Sequence, residues 1–148
     1  GSRRQLGYEQ ALEQWDLVRQ DSYIVTGEFY TLESGYEAMK QLLQLPERPT
    51  AVFASGDLLA LGAMMAVKDS GLSVPDDISI MGYDDVDLAK YVTPALTTVR
   101  QDTALLGSRA AEILFDTING AQSEHQALVL PTKVIVRDSC SPPAATGR

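Results

Sequence analysis

The sequence predicts an α/β chain with parallel strands, and three observations carry that reading. Ala51–Ala54 is a short apolar run, Asp57–Ser70 has helical periodicity, and Asp77–Gly82 is a second apolar run. A helix between two short apolar runs is a crossover unit whose strands must be parallel. In such sheets ligands bind outside the carboxyl ends of the strands. Those ends carry Ser55-Gly56-Asp57 and Tyr83-Asp84-Asp85, so the chain reads as a small-molecule-binding module.

The elements follow in order. Tyr8, Ala11, Leu12 and Trp15 fall on one face of an amphipathic helix preceded by Arg3 and Arg4. Ser22–Thr26 reads as a strand, with Gly27 a break at its carboxyl end. Ser34-Gly35-Tyr36-Glu37 matches a capping box opening a helix that turns Met39, Leu42 and Leu43 inward and stops before Pro46. Gly71 reads as a left-handed cap on the helix from Asp57, and Gly62, Ala63 and Ala66 suit close packing on a sheet or helix.

Ile78–Met81 is the next strand and Leu96–Val99 the one after. Asp102 reads as the N-cap of a long helix with Leu106, Ala110, Ile113 and Leu114 on one face, ended by Asn119-Gly120. Ala127–Leu130 and Lys133–Arg137 read as short strands around Pro131, and residues 139–148 as a disordered tail. The alternation opens on a helix with almost nothing upstream, where a sheet of this kind pairs each helix with a preceding strand. The chain is therefore expected to be a fragment of a parent with at least one more strand.

Composition excludes several classes. The 148 residues fit one domain, 45% hydrophobic and 22% charged, with a formal charge of −8. Phosphate binding needs clustered Lys and Arg, so the chain is not by itself a nucleic-acid grip. There is no basic run for a membrane surface and no apolar run long enough to span one, and the first residues of this sequence do not read as a charged-then-apolar leader. The single cysteine, Cys140, allows no intrachain disulfide and fits a reducing cytoplasmic location.

The passage AVFASGDLLALGAMMAVKDSGLSVPDDISIMGYDD, followed by PALTTVRQD, resembles the effector-binding domain of LacI/GalR-family transcriptional regulators. Arg4-Gln5-Leu6-Gly7-Tyr8 is similar to that family's R-x-x-G-aromatic helix opening. The match covers most of residues 3–138. It implies two Rossmann-like subdomains, each a parallel sheet flanked by helices in the periplasmic-binding-protein-like manner, with a sugar or purine bound between them. On that likeness residues 3–100 are the C-terminal effector-binding subdomain. Residues 101–120 are a helix crossing to a missing N-terminal subdomain, and residues 121–138 are returning strands. The crossing helix is left with an unpartnered apolar face, which predicts self-association, domain swapping or flexibility. The resemblance also implies a homodimer through the helices from Ser34 and through Leu61, and DNA contact only through an N-terminal headpiece absent from this sequence.

The resemblance and the strand-end rule together name the ligand-binding candidates Asp84, Arg4, Tyr30, Gln101, Gly56 and Asp57. Asp84 follows a strand and Gly82, and a carboxylate is an acceptor suited to a donor-rich ligand; its bland alternative is a turn aspartate bonding its own backbone. Arg4 would offer its guanidinium fork to ligand oxygens, or be merely solvated. Tyr30 would stack on the ligand, with Phe29 as competitor and loop packing as the alternative. Gln101 lies near the implied hinge. Gly56 stands where the family commonly carries an Asn, which counts against a simple hexose and leaves room for a planar ligand such as a purine or nucleoside. Asp57 reads first as a helix N-cap.

No cofactor is expected. His125 is the only histidine and lies in a polar loop, so it is not expected to be catalytic, and one histidine with one cysteine is too few for a zinc cluster. Asp76-Asp77 and Asp84-Asp85 are neighbours that do not by themselves converge on a metal. No dinucleotide or Walker loop is present. The expectation is the effector-binding and dimerisation part of a LacI/GalR-type repressor, not an enzyme. A periplasmic sugar-binding protein is the alternative.

Overall fold

The computed structural model describes residues 2–27, 29–120 and 128–142. The elements are α1 (Ser2–Gln14), α2 (Leu32–Leu43), β1 (Ala51–Phe53), α3 (Asp57–Asp69), β2 (Ser79–Asp84), β3 (Thr97–Gln101), α4 (Thr103–Ile118) and β4 (Thr132–Ile135). Short 3-10 turns lie at Asp21–Tyr23 and Asp87–Lys90. The strands run β1-β2-β3-β4 across one sheet, with β1–β2 and β2–β3 parallel. β4 is antiparallel to β3, so the sheet is mixed rather than purely parallel. The cause is topological: α4 starts at the carboxyl end of β3, and the chain re-enters the sheet from that same end.

The core is apolar side chains of β2 and of the residues leading into β2 and β3, packed against small residues of α3. Ile78, Ile80 and Leu96 are fully buried with Ala60, Ala63, Ala66 and Val67, and Met39 and Leu42 of α2 close the layer. α2 and α3 meet backbone to backbone. A Cβ on Gly35 would overlap the Leu59 backbone, and one on Gly62 would overlap the Leu32 carbonyl and the Tyr36 amide. Gly71 caps α3 with φ +75: its own amide bonds the Lys68 carbonyl and the Leu72 amide bonds that of Val67, the paired bonds of a left-handed cap.

Several sequence expectations need correction. Ser22–Thr26 is not a strand. Asp21–Tyr23 winds into a 3-10 turn, and Ile24 runs extended beyond it without a ladder partner. Val25 packs on the core, but a cavity of about 290 Å³ separates this segment from β1. The cap of α2 is Thr31, not Ser34: the Thr31 hydroxyl accepts from the Ser34 amide, so the helix starts a turn earlier than the Ser34 box implies. α1 turns Arg4, Tyr8 and Leu12 toward the body, while Ala11 faces solvent. Trp15 lies past its last turn and is exposed, because Asp16 takes a left-handed conformation that ends the helix.

Leu128–Leu130 form no strand, since β4 takes the one available ladder on β3, and Ala127 and His125 lie outside the described residues. The start of the expected tail is built in. Ser139 is buried, its carbonyl accepts from the Ile80 amide, and its hydroxyl bridges the Ile80 carbonyl (2.6 Å) and the Thr97 amide (2.8 Å). These bonds fill the gap upstream of the first β2–β3 pair, Met81 with Thr97. Residues 143–148 lie outside the described residues.

α4 is the opposite of α3. Asp102 caps it as expected, its side chain accepting from the Leu105 amide, yet none of its residues is buried among the described residues. Leu106, Ile113 and Leu114 are 51%, 44% and 60% exposed.

Candidate functional site

The carboxyl ends of β1, β2 and β3 lie side by side, and the start of α1 reaches across them. Arg4 is the tie. Its guanidinium donates to the Ser55 carbonyl, stands 3.7 Å over the Tyr83 ring and comes within 3.6 Å of the Asp84 carboxylate. The Gln101 amide, at the end of β3, donates to the same Asp84 oxygen at 2.8 Å. Tyr30 arrives from the loop before α2 and lies over Gly56. A Cβ there would sit 2.9 Å from the Tyr30 ring, so glycine is what lets the ring approach the floor. Arg4, Tyr30, Tyr83 and Gln101 line a cleft of about 810 Å³ that Leu106 of α4 also borders, and Asp84 adjoins it through its contacts with Arg4 and Gln101.

Five of the six predicted residues therefore converge: Arg4, Tyr30, Gly56, Asp84 and Gln101. Phe29 lines the smaller cavity beside β1 instead, while Tyr30 touches both spaces. Asp84 does not spend its carboxylate on its own turn. Gln101 and Arg4 share one of its oxygens, and the other faces Gly56. Loss of water raises the Asp84 pKa above the ordinary 3.8; Arg4 and Gln101 pull it back, and the charge of Asp57 adds to the rise. Its backbone is strained as well, with φ +117, and Asp85 follows at φ +55. A ligand N–H or O–H reaching the second oxygen would relieve the desolvation.

Asp57 is neither cap nor cleft residue. Gly56 occupies the N-cap position, and the Asp57 side chain turns back into the protein, 1% exposed. It accepts from the Thr98 hydroxyl at 2.5 Å and from the Val86 amide at 2.8 Å. Gly82 answers to the same carboxylate, since a Cβ on it would overlap the Asp57 oxygen.

Sequence reasoning put Tyr83 and Asp85 at a strand end without giving either a role, and it missed Arg100 and Arg137. Tyr83 is the ring under Arg4 and meets Phe53 edge-on, 6.5 Å between centroids; its place between Gly82 and Asp84 at a strand end was the available signal. Asp85 is anchored by Arg137 at 2.6 Å and Arg100 at 2.5 Å. Burial pushes its carboxyl up, but the two arginines outweigh that and its pKa lies below 3.8. Arg137 also donates to the Leu96 carbonyl. Nothing local marks Arg137 as Asp85's partner, because the contact spans more than fifty residues of chain. Asp77, one of the paired aspartates, closes a turn by accepting from the Ser73 amide. No group of three or more potential metal ligands converges among the described residues.

Comparison with known proteins identifies the fold. The periplasmic binding protein-like domain family matches residues 1–140. Among curated relatives, the HTH-type transcriptional repressor PurR of Shigella sonnei (strain Ss046) is 44% identical over 139 residues, covering 94% of this chain and 40% of that protein. The transcriptional regulator CelR in complex with cellobiose is 38% identical with a TM-score of 0.86, covering 92% of this chain and 41% of that one. A LacI family regulator from Enterococcus faecium with bound ribose is 33% identical with a TM-score of 0.81, covering 93% of this chain and 50% of that one. The chain thus spans about half or less of the length of the regulators it matches. With the family match running over nearly its whole length, this chain belongs to the periplasmic-binding-protein-like domain family.

Proposed function

We propose that this chain is the effector-binding part of a LacI-type transcriptional repressor, taking a small neutral ligand rich in N–H and O–H donors, a sugar, nucleoside or purine, at the Asp84 cleft. The observation that carries the reading is the convergence of Arg4, Tyr30, Tyr83, Asp84 and Gln101 at the carboxyl ends of three strands. It offers a carboxylate oxygen to donors, amide and guanidinium N–H groups to acceptors, and rings to a flat ligand face. The similarity to regulators solved with cellobiose and with ribose supports that chemistry.

The exposed face of α4 fits a helix that docks into a second subdomain of a longer parent. Burying a Leu or Ile side chain contributes about 1.5–3 kcal/mol, so Leu106, Ile113 and Leu114 would hold the two subdomains together. Closure of that pair on the ligand would then change the geometry of a dimer, and through it the spacing of DNA-binding headpieces. Only a difference in ligand affinity between open and closed states is required. Leu32, Leu58 and Met65, exposed on the α2–α3 layer, supply an apolar surface for that homodimer.

Thermal denaturation with a panel of ribose, cellobiose, adenosine and hypoxanthine tests this reading. A ligand at a hundred times its Kd adds about 2.7 kcal/mol of stability. One class is expected to raise Tm, with Asp84→Ala abolishing the rise. Absence of a shift both in this chain and in its full-length parent would sink the proposal.

A further inference from the structure

Asp84 and Asp85 both hold left-handed backbone conformations that cost a side-chain-bearing residue free energy, and they persist only if their surroundings fix them. The turn is clamped from both sides. Before it, β2 is still in register with β3, Asp84 opposite Arg100. Immediately after it, the Val86 amide donates to Asp57, which reaches there from the first turn of α3 and is held in turn by Thr98 of β3. One buried carboxylate thus joins α3, β3 and the exit of the β2 turn.

The molecule makes room for this bridge at some cost. Gly82 gives up a side chain in mid-strand for it, and the carboxylate lies within the protein, where it must be fully hydrogen-bonded. Helix capping does not explain it, since both of its bonds go to Val86 and Thr98 rather than to amides of α3. Core packing does not explain it either, since an apolar side chain of the same size would need no partners.

We infer that Asp57 is the positioning residue of the cleft: through Val86 and Thr98 it fixes the strained turn that presents Asp84 to the ligand. Its effect on affinity rests on the Asp84 cleft being the effector site; its effect on the turn does not. The charge of Asp57 also acts on Asp84 through space, in the direction that raises its pKa.

The Gln101 side-chain amide reports the position of Asp84 directly, so nuclear magnetic resonance of the ligand-free chain tests the inference. Asp57→Ala is expected to move the Gln101 side-chain signals to those of a free amide and to remove hydrogen-exchange protection at Val86. Asp57→Asn keeps an acceptor for Val86 and a donor for Thr98 and is expected to preserve both. Ser139→Ala, which loosens the sheet away from the turn, is expected to lower Tm while leaving both readouts unchanged. Should Asp57→Ala fail to fold, Thr98→Val removes one bond to the carboxylate and is read the same way, with a smaller shift. An unmoved Gln101 signal and an intact Val86 amide in the folded variant would overturn the inference. With a binding member of the panel, Asp57→Ala is expected to weaken affinity about tenfold or more, the scale of one buried hydrogen bond left unmade. A panel without any binder counts against the functional reading and leaves the resonance test standing.

Discussion

The two sides of the β2 turn use the same chemistry to opposite ends. Behind it, Asp85 is held by two arginines and Asp57 by a hydroxyl and an amide, so both carboxylates are satisfied within the chain. In front of it, Asp84 has one oxygen engaged, a long contact to Arg4 and a pKa raised by lost water. A closed polar network makes a fold rigid, and an incompletely paired one next to it is where a ligand gains most by arriving. Charge and residue type do not separate these aspartates; the completeness of their partners does.

The contrast is sharpened first by Asp85→Ala, which leaves half-buried Arg137 with only the Leu96 carbonyl as partner. The expected loss is about 2–3 kcal/mol, read as a lower urea midpoint. Gly82→Ala forces the Asp57 carboxylate aside and is expected to cost about 1–3 kcal/mol in the same assay. Asp84→Asn should stay within about 0.5 kcal/mol of the parent, because asparagine tolerates positive φ and no closed network is broken. A large loss there would erase the distinction between the two sides.

Acid titration separates them by sign. Asp85 has a lowered folded pKa, so its contribution is present above about pH 3.8 and lost as pH falls through the folded value. Asp84 has a raised folded pKa, so its contribution is present below about pH 3.8 and lost as pH rises through the folded value. The stability of Asp84→Asn relative to the parent should therefore increase between pH 3 and neutrality. Asp85→Ala should lose its penalty as the pH drops below that range. Chemical denaturation at a series of pH values reads both.

Local pattern made much of this legible. The strand-helix-strand unit, the Gly71 cap, the Asp102 cap and the strand-end position of Asp84 all depend on residues near one another in sequence. Arg4, Tyr30 and Gln101 came from the family resemblance, and the structure brings them to Asp84. The misreadings come from distance along the chain. Asp57 resembles a cap until Val86 and Thr98 are seen beside it. Ser139 resembles a tail residue until it is found bonding Ile80 and Thr97. SYIVT has strand composition, but a strand also needs a ladder, and a cavity stands between Val25 and β1. The exposed face of α4 was legible for the same reason that α3 was: periodicity gives the face, while only the rest of the fold supplies the partner.

The proposed role of Asp84 is to receive the ligand. Titrating the isotope-labelled chain with ribose, cellobiose, adenosine and hypoxanthine, while following the Gln101 side-chain amide, tests it most directly. A binding member of the panel is expected to shift this signal and the backbone of Tyr83–Asp85, and Asp84→Asn, folded and equally stable, is expected to show neither shift. Equal binding by Asp84→Asn, or shifts confined to Val25 and Met39 around the smaller cavity, would contradict it.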